Sequence, residues 1–544
     1  MAIQQIGDIL LKKKIITKET LEYALSIQES LGKREKLGRI LKDNNFVEDE
    51  DIAKALAEQS GWKYFNKKYV VSLPEVQRIG LDILMDRVCV PVETDKGTAF
   101  VFAYPFDVET SDSLLHSSSS GGEFYVGSES AILANLERIA TKEKGKEIDR
   151  VIDSLKEKGL TGDELKELLC RLIDEAIIQN ATDIHIEPQE KVSTIRFRID
   201  GVLCFKRSIP IEMHNNLVNV VFSRAEITVS EFYKFHDARF SHTCLNHTVD
   251  IRVSGIPSIF GPCLVLRLLD ITKTLINLEN LGFYNTHLEA ISRISKKPHG
   301  VIIVAGPTGS GKTTTLYAIL NKLKNISAKV ITIEDPVEIK MPLINQVQIN
   351  EKQDITFAHA TRAFLRHDPN IILIGEIRDP DTAKEAIRAS LTGHKVLSTL
   401  HTNTAIDSIY RLNDLGIDLS HIANSVLAVI SQRLVRKLCP FCKRRVTIKK
   451  ETLPESFRGE FEKDIDDLRV YKARGCSHCH GGYKGRTVIA EILKFDESVR
   501  DMVSGGRLDQ LKAREKEGLS LKKDVSRLIK EGVTSFEEAE RIVG

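Results

Sequence analysis

The sequence predicts an α/β chain: a mainly parallel sheet flanked by helices in the C-terminal half, preceded by an α+β domain and a helical N-terminal module. Three observations predict it. From Val301 onward, short apolar runs (Val301–Val304, Val330–Ile333, Ile371–Ile374, Lys395–Thr399) alternate with helical stretches, as buried parallel strands and their crossovers do. Before them, Thr194–Arg207 alternates around Asp200-Gly201, and Thr248–Val253 and Leu264–Leu269 form a second hairpin pattern. At the start, residues 1–60 repeat themselves with an offset of 31, from Gly7 to Gly38.

A length of 544 residues allows roughly three to four domains at about 150 residues each. The net charge of +2 gives no global field that favours nucleic acid. No apolar run reaches the length of a membrane span, and MAIQQIGDILLKKK lacks a signal-peptide core, so a cytoplasmic location is expected, with any membrane association made through a partner. Of nine cysteines, Cys89, Cys170, Cys204, Cys244 and Cys263 are scattered and read as reduced thiols.

In the repeat, Leu10 maps to Leu41, Leu21 to Ile52, Leu25 to Leu56 and Gln28 to Gln59. Each copy reads as a helix, a turn and a second helix, the second starting at Thr17–Thr20 or Glu48–Asp51, whose acidic residues suit a helix N-terminus. Residues 61–138 read as a small α+β module without a chemical motif, and Ser117–Gly122 as a flexible loop. The charged stretch 141–160 reads as an exposed linker with helical segments. Thr161-Gly162-Asp163-Glu164 has the form of a capping box. The following helix places Leu165, Leu168, Leu169, Leu172, Ile173 and Ala176 on one face. The domain over 161–275 then carries several arginines on strand faces, among them Arg196, Arg198, Arg252 and Arg267, and guanidinium forks suit phosphate oxygens.

The chemistry centres on Gly306-Pro307-Thr308-Gly309-Ser310-Gly311-Lys312-Thr313, which fits G-x-x-x-x-G-K-T between a predicted strand and a predicted helix. Backbone N–H groups of such a loop, with Thr314 opening the helix, close around phosphates. Lys312 is placed to reach the β- and γ-phosphates of ATP, and the Thr313 hydroxyl to hold Mg²⁺. Three strand ends follow: Glu334-Asp335-Pro336, Gly375-Glu376-Ile377-Arg378-Asp379 and Leu400-His401. Carboxylates there face the ligand crevice of a parallel sheet. Glu376 is the first choice for the base that orients water and Glu334 the second; His401 is placed to contact the γ-phosphate. Gly375 stands where an aspartate is usual. Finally, Cys439-x-x-Cys442 and Cys476-x-x-Cys479, 33 residues apart, suit four-thiolate Zn²⁺.

GPTGSGKTTTLYAI, ITIEDPVE, FLRHDPNIILIGEIRD and LTGHKVLSTLHTN resemble the Walker A, Asp box, Walker B and His box of the GspE/PilB family, the ATPases of type II secretion and type IV pilus assembly. The likeness is strong over about 160–544. It implies a RecA-like ATPase domain over 276–544 with a zinc insert at 437–482, a homo-hexamer, and work through an inner-membrane platform protein. It also implies that Arg252 and Arg267 reach the nucleotide, with Arg366 and Arg378 as further polar residues of that region. The family's P-Q-D-G-R is replaced by Lys234-Phe235-His236-Asp237-Ala238-Arg239, which lowers the weight on Arg239, and Gly261-Pro262 replaces Gly-Glu. The tetracysteine insert resembles that of assembly rather than retraction ATPases. Residues 1–140 resemble the MshEN-type module, some members of which bind cyclic diguanylate; the leading arginines of its paired motifs are Gln5 and Lys36 here, so weak or absent binding is expected. Two other classes compete: a nucleic-acid translocating motor, suggested by Lys443-Arg444-Arg445 but lacking stacking aromatics and marked by DNA-stimulated turnover, and a nucleotide-regulated scaffold, marked by slow hydrolysis indifferent to partners. The sequence leaves secretion and pilus roles open.

Overall fold

The computed structural model describes all residues except 1–4, 31–34, 45, 68, 96, 106–122, 159–161, 229–233, 245–246, 270–276, 450–452, 462–466, 477–478 and 518–519. The chain divides into two compact units, Met1–Thr272 and Lys273–Gly544.

The first unit opens with helices α1 (Ile6–Lys12), α2 (Lys18–Ser30), α3 (Leu37–Asp43) and α4 (Asp49–Ser60), the two hairpins of the repeat. Leu10 and Leu41, equivalent in the two copies, are both fully buried. The repeated glycines permit close helix packing: a Cβ on Gly7 would lie 2.9 Å from Leu21, and one on Gly38 3.3 Å from Ile6. Strands β1 (Lys63–Tyr64), β2 (Cys89–Thr94), β3 (Gly97–Phe102) and β4 (Phe124–Val126) then form a sheet of order β1-β4-β3-β2. The serine-rich stretch 117–122 and Thr161 of the expected capping box lie outside the described residues.

The stretch expected as an exposed linker with helical segments is part of a helix, Glu129–Lys158, and is not exposed throughout. Ile132, Leu136 and Ile139 of this helix are buried against the small sheet, whereas Ile148, Ile152 and Leu155 join the core of the next domain. The apolar spacing of three and four residues decides this, and the high charge of the intervening segment conceals it in the sequence.

That domain packs helices Gly162–Ile178 and Ile211–Arg224 on one face of an antiparallel sheet. Its strands are β5 (Ala181–Pro188), β6 (Val192–Ile199), β7 (Val202–Pro210), β8 (His236–Cys244), β9 (His247–Ser258) and β10 (Gly261–Leu269), in the order β7-β6-β5-β10-β9-β8. Asp200 and Gly201, with φ of 51° and 82°, make the two-residue turn between β6 and β7. Ile195, Phe197, Ile251, Val253, Leu264 and Leu266 fill the helix-covered face. Alternation puts a lateral row of Arg198, Asp183, Arg267, Arg252 and Arg239 on the other, each opposite the next in register.

The second unit is built on β11 (Gly300–Ala305), β12 (Val330–Glu334), β13 (Ile344–Gln348), β14 (Ile371–Ile374), β15 (Lys395–Leu400), β16 (Val426–Leu438) and, after the two-stranded ribbon of β17 (Arg444–Lys449) and β18 (Asp467–Lys472), β19 (Tyr483–Lys494). The sheet order is β13-β12-β14-β15-β11-β16-β19, parallel throughout except for the antiparallel pair β16/β19. Both faces are covered: Val301, Ile303 and Ala305 enter one core, Ile302 and Val304 the other. The C-terminal helices, in which the sequence shows no motif, have a packing role: Val525, Leu528, Ile529 and Phe536 bury against Val435, Phe457, Val470 and Ile489. Among the described residues no helix is long and apolar enough to cross a membrane.

Candidate functional site

Because β11, β12, β14 and β15 are parallel, the loops after them converge at one end of the sheet. The loop after β11 is the glycine loop, and the helix Lys312–Leu323 follows it. Gly309 and Gly311 have φ of 77° and 85°, a region open to glycine at little cost. Pro307, Thr308 and Gly309 are exposed, Thr313 half-buried and Thr314 exposed, so the loop backbone faces outward at the helix N-terminus. Lys312 Nζ donates to the carbonyls of Gly306 (2.8 Å) and Pro307 (3.1 Å). Burial pushes its ammonium down to about 8, opposed by Glu376 and aided by Arg433.

Glu376, in the loop after β14, is buried, with its carboxylate 2.6 Å from Arg378 Nε and 3.6 Å from His401 Nε2. Its loop is tied down by β15: Thr399 Oγ1 donates to the Gly375 carbonyl (2.8 Å) and Ile377 N–H to the Thr399 carbonyl (3.1 Å). Close packing accounts for Gly375, since a Cβ there would lie 3.2 Å from the Ile333 carbonyl oxygen. Burial and then the charge of Lys312 hold the His401 imidazole below its usual value, with Arg378 adding to them and Glu376 opposing. Lys312, Glu376, Arg378 and His401 thus form one electrostatic cluster beside the glycine loop.

Glu334 is placed differently. It ends β12, is 3% exposed, and accepts hydrogen bonds from the Tyr317 hydroxyl, from Thr332 Oγ1 (2.5 Å) and from Gln346 Nε2 (3.1 Å). Three donors orient this carboxylate within the protein, a geometry that suits bracing the helix Lys312–Leu323 through Tyr317. Of the two carboxylates named from the sequence, Glu376 thus lies beside Arg378 and His401, whereas Glu334 is engaged by protein donors.

Arg252 and Arg267 belong to the first unit. Arg252 forms a two-pronged pair with Asp237 (3.0 and 2.6 Å), and Arg267 Nε donates to Asp183 (3.0 Å). Arg267 remains 62% exposed at its side chain, whereas Asp183 is buried, so the carboxylate anchors a guanidinium that faces out.

Several residues around the glycine loop belong to no motif in the sequence. Gln432 on β16 donates to the Ser310 carbonyl, and Arg433 reaches Asn403 in the loop after His401. The one available signal was a buried-strand pattern, AVISQRLV, interrupted by polar residues.

The four paired cysteines come together. Sγ–Sγ distances are 3.8 Å for Cys439–Cys476, 3.8 Å for Cys442–Cys479 and 3.7 Å for Cys476–Cys479. Tetrahedral thiolates at about 2.3 Å from zinc stand about 3.8 Å apart, whereas a disulfide needs about 2.05 Å, so the donor set fits Zn²⁺. Cys439 follows β16 and Cys479 precedes β19, strands that pair Leu438 with Tyr483. Zinc would pin the open end of that antiparallel pair. Metal analysis of the purified chain is expected to return about one zinc per chain. Cys439→Ser is expected to speed amide exchange over 437–482 while leaving the glycine loop unchanged; a metal-free parent with four titratable thiols contradicts the assignment.

Residues 161–541 match the family described as Type II/IV secretion system protein. A Vibrio cholerae protein named Type II secretion system ATPase E is 41% identical over 379 residues, covering 69% of this chain and 74% of that protein. The Type IV pilus assembly ATPase PilB of Thermus thermophilus is 33% identical over 583 residues, covering 98% of this chain and 65% of that one. The X-ray structure of the Legionella pneumophila ATPase DotB shares the fold, with a TM-score of 0.52 at 22% identity over 69% of this chain and 94% of that chain. The phosphate-loop cluster, the parallel sheet around it and these matches together place the chain in the Type II/IV secretion system protein family, among the ATPases of type II secretion and type IV pilus assembly.

Proposed function

We propose that the chain hydrolyses ATP at the end of the parallel sheet of the second unit and uses the cycle to drive pilus or pseudopilus assembly. The observation that carries this reading is the cluster of Lys312, Glu376 and His401 beside the glycine loop, in a chain of this family. Loop amides and Lys312 bind the phosphates, Glu376 orients the attacking water and takes its proton, and His401 reads the γ-phosphate. Mg²⁺, held by Thr313, would offset charge on the phosphate oxygens. Arg252 and Arg267 reach the nucleotide when the arginine-bearing domain (161–275) closes on an ATPase domain (276–544) of the same or a neighbouring chain in a hexameric ring. Zn²⁺ on the four cysteines braces the insert. In this reading the chain works as a cytoplasmic ring through an inner-membrane platform protein. Phosphate release from MgATP by the purified chain tests this reading; turnover that requires DNA would move it to a nucleic-acid motor.

The depressed Lys312 ammonium has a measurable effect. Phosphate binding favours the charged form, so nucleotide raises the pKa from about 8 and binding takes up protons near that pH. MgADP affinity is expected to fall as pH rises between about 7 and 9, where the free site loses its charge. Calorimetry in two buffers of different ionisation heat reads the uptake directly. Lys312→Arg, which stays charged, should lose the buffer dependence; equal heats for the parent in both buffers contradict proton uptake by Lys312.

The N-terminal module serves as a docking surface for the membrane-bound partner and binds cyclic diguanylate weakly or not at all. Lys36 lies 5.0 Å from the Tyr104 ring centre, and a lysine supplies charge without a planar fork. Gln5 stands at the N-cap position of α1, makes no side-chain cap bond and carries no charge. Loss of two charged bidentate contacts costs about 3–6 kcal/mol at about 1.5–3 kcal/mol each, or about 10²–10⁴ in affinity. Titration of the full chain with cyclic diguanylate checks this, and a sub-micromolar dissociation constant contradicts it.

A further inference from the structure

Strand β16 passes directly behind the glycine loop, and its residues Ser431, Gln432 and Arg433 alternate across the strand. Gln432 is 1% exposed. Its Nε2 donates to the Ser310 carbonyl at 2.7 Å, and its Oε1 accepts from Thr315 Oγ1 at 2.9 Å. The orientation of this amide is dictated by chemistry. The Ser310 carbonyl can only accept, so the NH₂ group must face it, which turns Oε1 to the hydroxyl. One side chain therefore holds both the last residues of the loop and the first turn of the helix that follows.

The fit is close. A Cβ on Gly311 would lie 3.3 Å from Gln432 Nε2, and one on Gly306 2.6 Å from the Gln432 carbonyl oxygen. The flanking residues hold the other half of the site. Ser431 Oγ donates to the Asn403 carbonyl at 3.1 Å, and Arg433 donates to the Asn403 carbonyl and to Asn403 Oδ1, both at 3.1 Å. Asn403 lies two residues after His401. Glu491, opposite Ser431 on β19, accepts from the Ala405 N–H at 3.1 Å. An apolar side chain at 432 would fill the strand without desolvating an amide, so packing alone does not call for glutamine there.

We propose that Gln432 is a positioning residue for the phosphate loop, and that with Ser431 and Arg433 it makes β16 the strut that sets the loop against the His401 segment. The inference rests on the reading of this loop as the nucleotide site. It predicts that the strut governs how well the loop amides and Lys312 converge on phosphate, apart from whether the domain folds.

The test uses the full chain with MgADP as probe, comparing the parent with Gln432→Met, Gln432→Glu and Thr315→Val. Gln432→Met retains bulk and is expected to raise the MgADP dissociation constant about tenfold, because it leaves the Ser310 carbonyl unpaired. Gln432→Glu sets a carboxylate against that carbonyl and should lose more. Thr315→Val, which removes only the Oε1 contact, should lose less, and its effect should not add to that of Gln432→Met. Amide exchange is the readout that a general packing defect would not confine: it should quicken over 306–313 and stay unchanged within β11 and β14. Should Gln432→Met fail to fold, the two other variants carry the same readouts. Folded variants that bind MgADP within about twofold of the parent, with exchange over 306–313 unchanged, overturn the proposal. A parent that does not bind MgADP instead defeats the reading of the nucleotide site itself.

Discussion

Glu376→Gln is expected to bind MgATP as the parent does and to lose about 10²- to 10⁴-fold in kcat, the range over which a positioned general base contributes. The substitution preserves shape. It removes a charge that lies 2.6 Å from Arg378 Nε and 3.6 Å from His401 Nε2. In the proposed reading the phosphates are held by loop amides and Lys312, none of which the change removes; the negative charge it takes away both repels phosphate and favours the Lys312 ammonium, so affinity is expected to stay close to the parent's. Turnover and equilibrium binding measured on the same preparation separate the two effects. Loss of binding in step with kcat would instead make Glu376 a structural partner of Arg378.

Arg267→Ala is the second large effect. An arginine that neutralises charge on a transferring phosphoryl group is worth about 10³–10⁵ in kcat, most of it absent from ground-state binding. Asp183, buried, fixes Arg267 through Nε while the rest of the side chain faces out, so the guanidinium is oriented before any ligand arrives. The expected result is a fall in kcat of about 10²-fold or more, with the ATP dissociation constant changed by less than about tenfold. Asp183→Asn should reproduce part of the loss by releasing the anchor. In the ring proposed above, where Arg267 reaches the phosphate loop of a neighbouring chain, specific activity should rise with protein concentration. A monomer that keeps full specific activity at high dilution contradicts this.

How far the sequence led depended on whether information was local. The glycine loop, the cysteine pairs and the Asp200-Gly201 turn are short motifs whose spacing imposes geometry, and each stands where its spacing placed it. The parallel strands were legible because burial on both faces leaves continuous apolar runs such as Val301–Val304. The helical segments expected over 141–160 are part of helix Glu129–Lys158, but the burial of Ile148, Ile152 and Leu155 is hidden in the sequence because the charged middle outweighs two short apolar patterns that belong to different cores. Gln432 was illegible for another reason: its partners, Ser310 and Thr315, are over a hundred residues away in sequence and meet it only through the β11/β16 register. The different surroundings of Glu334 and Glu376 are also a tertiary matter, since Tyr317 and Gln346, which donate to Glu334, come from a helix and an edge strand.

The most direct test of the central claim is single-turnover cleavage of MgATP by the full chain, with Glu376→Gln and Glu334→Gln run side by side. The parent is expected to cleave, Glu334→Gln to cleave more slowly but measurably, since glutamine keeps an acceptor for Tyr317 while its NH₂ meets the Gln346 donor, and Glu376→Gln to retain bound, uncleaved ATP. Cleavage by Glu376→Gln at the parental rate, with Glu334→Gln stalled, would contradict this.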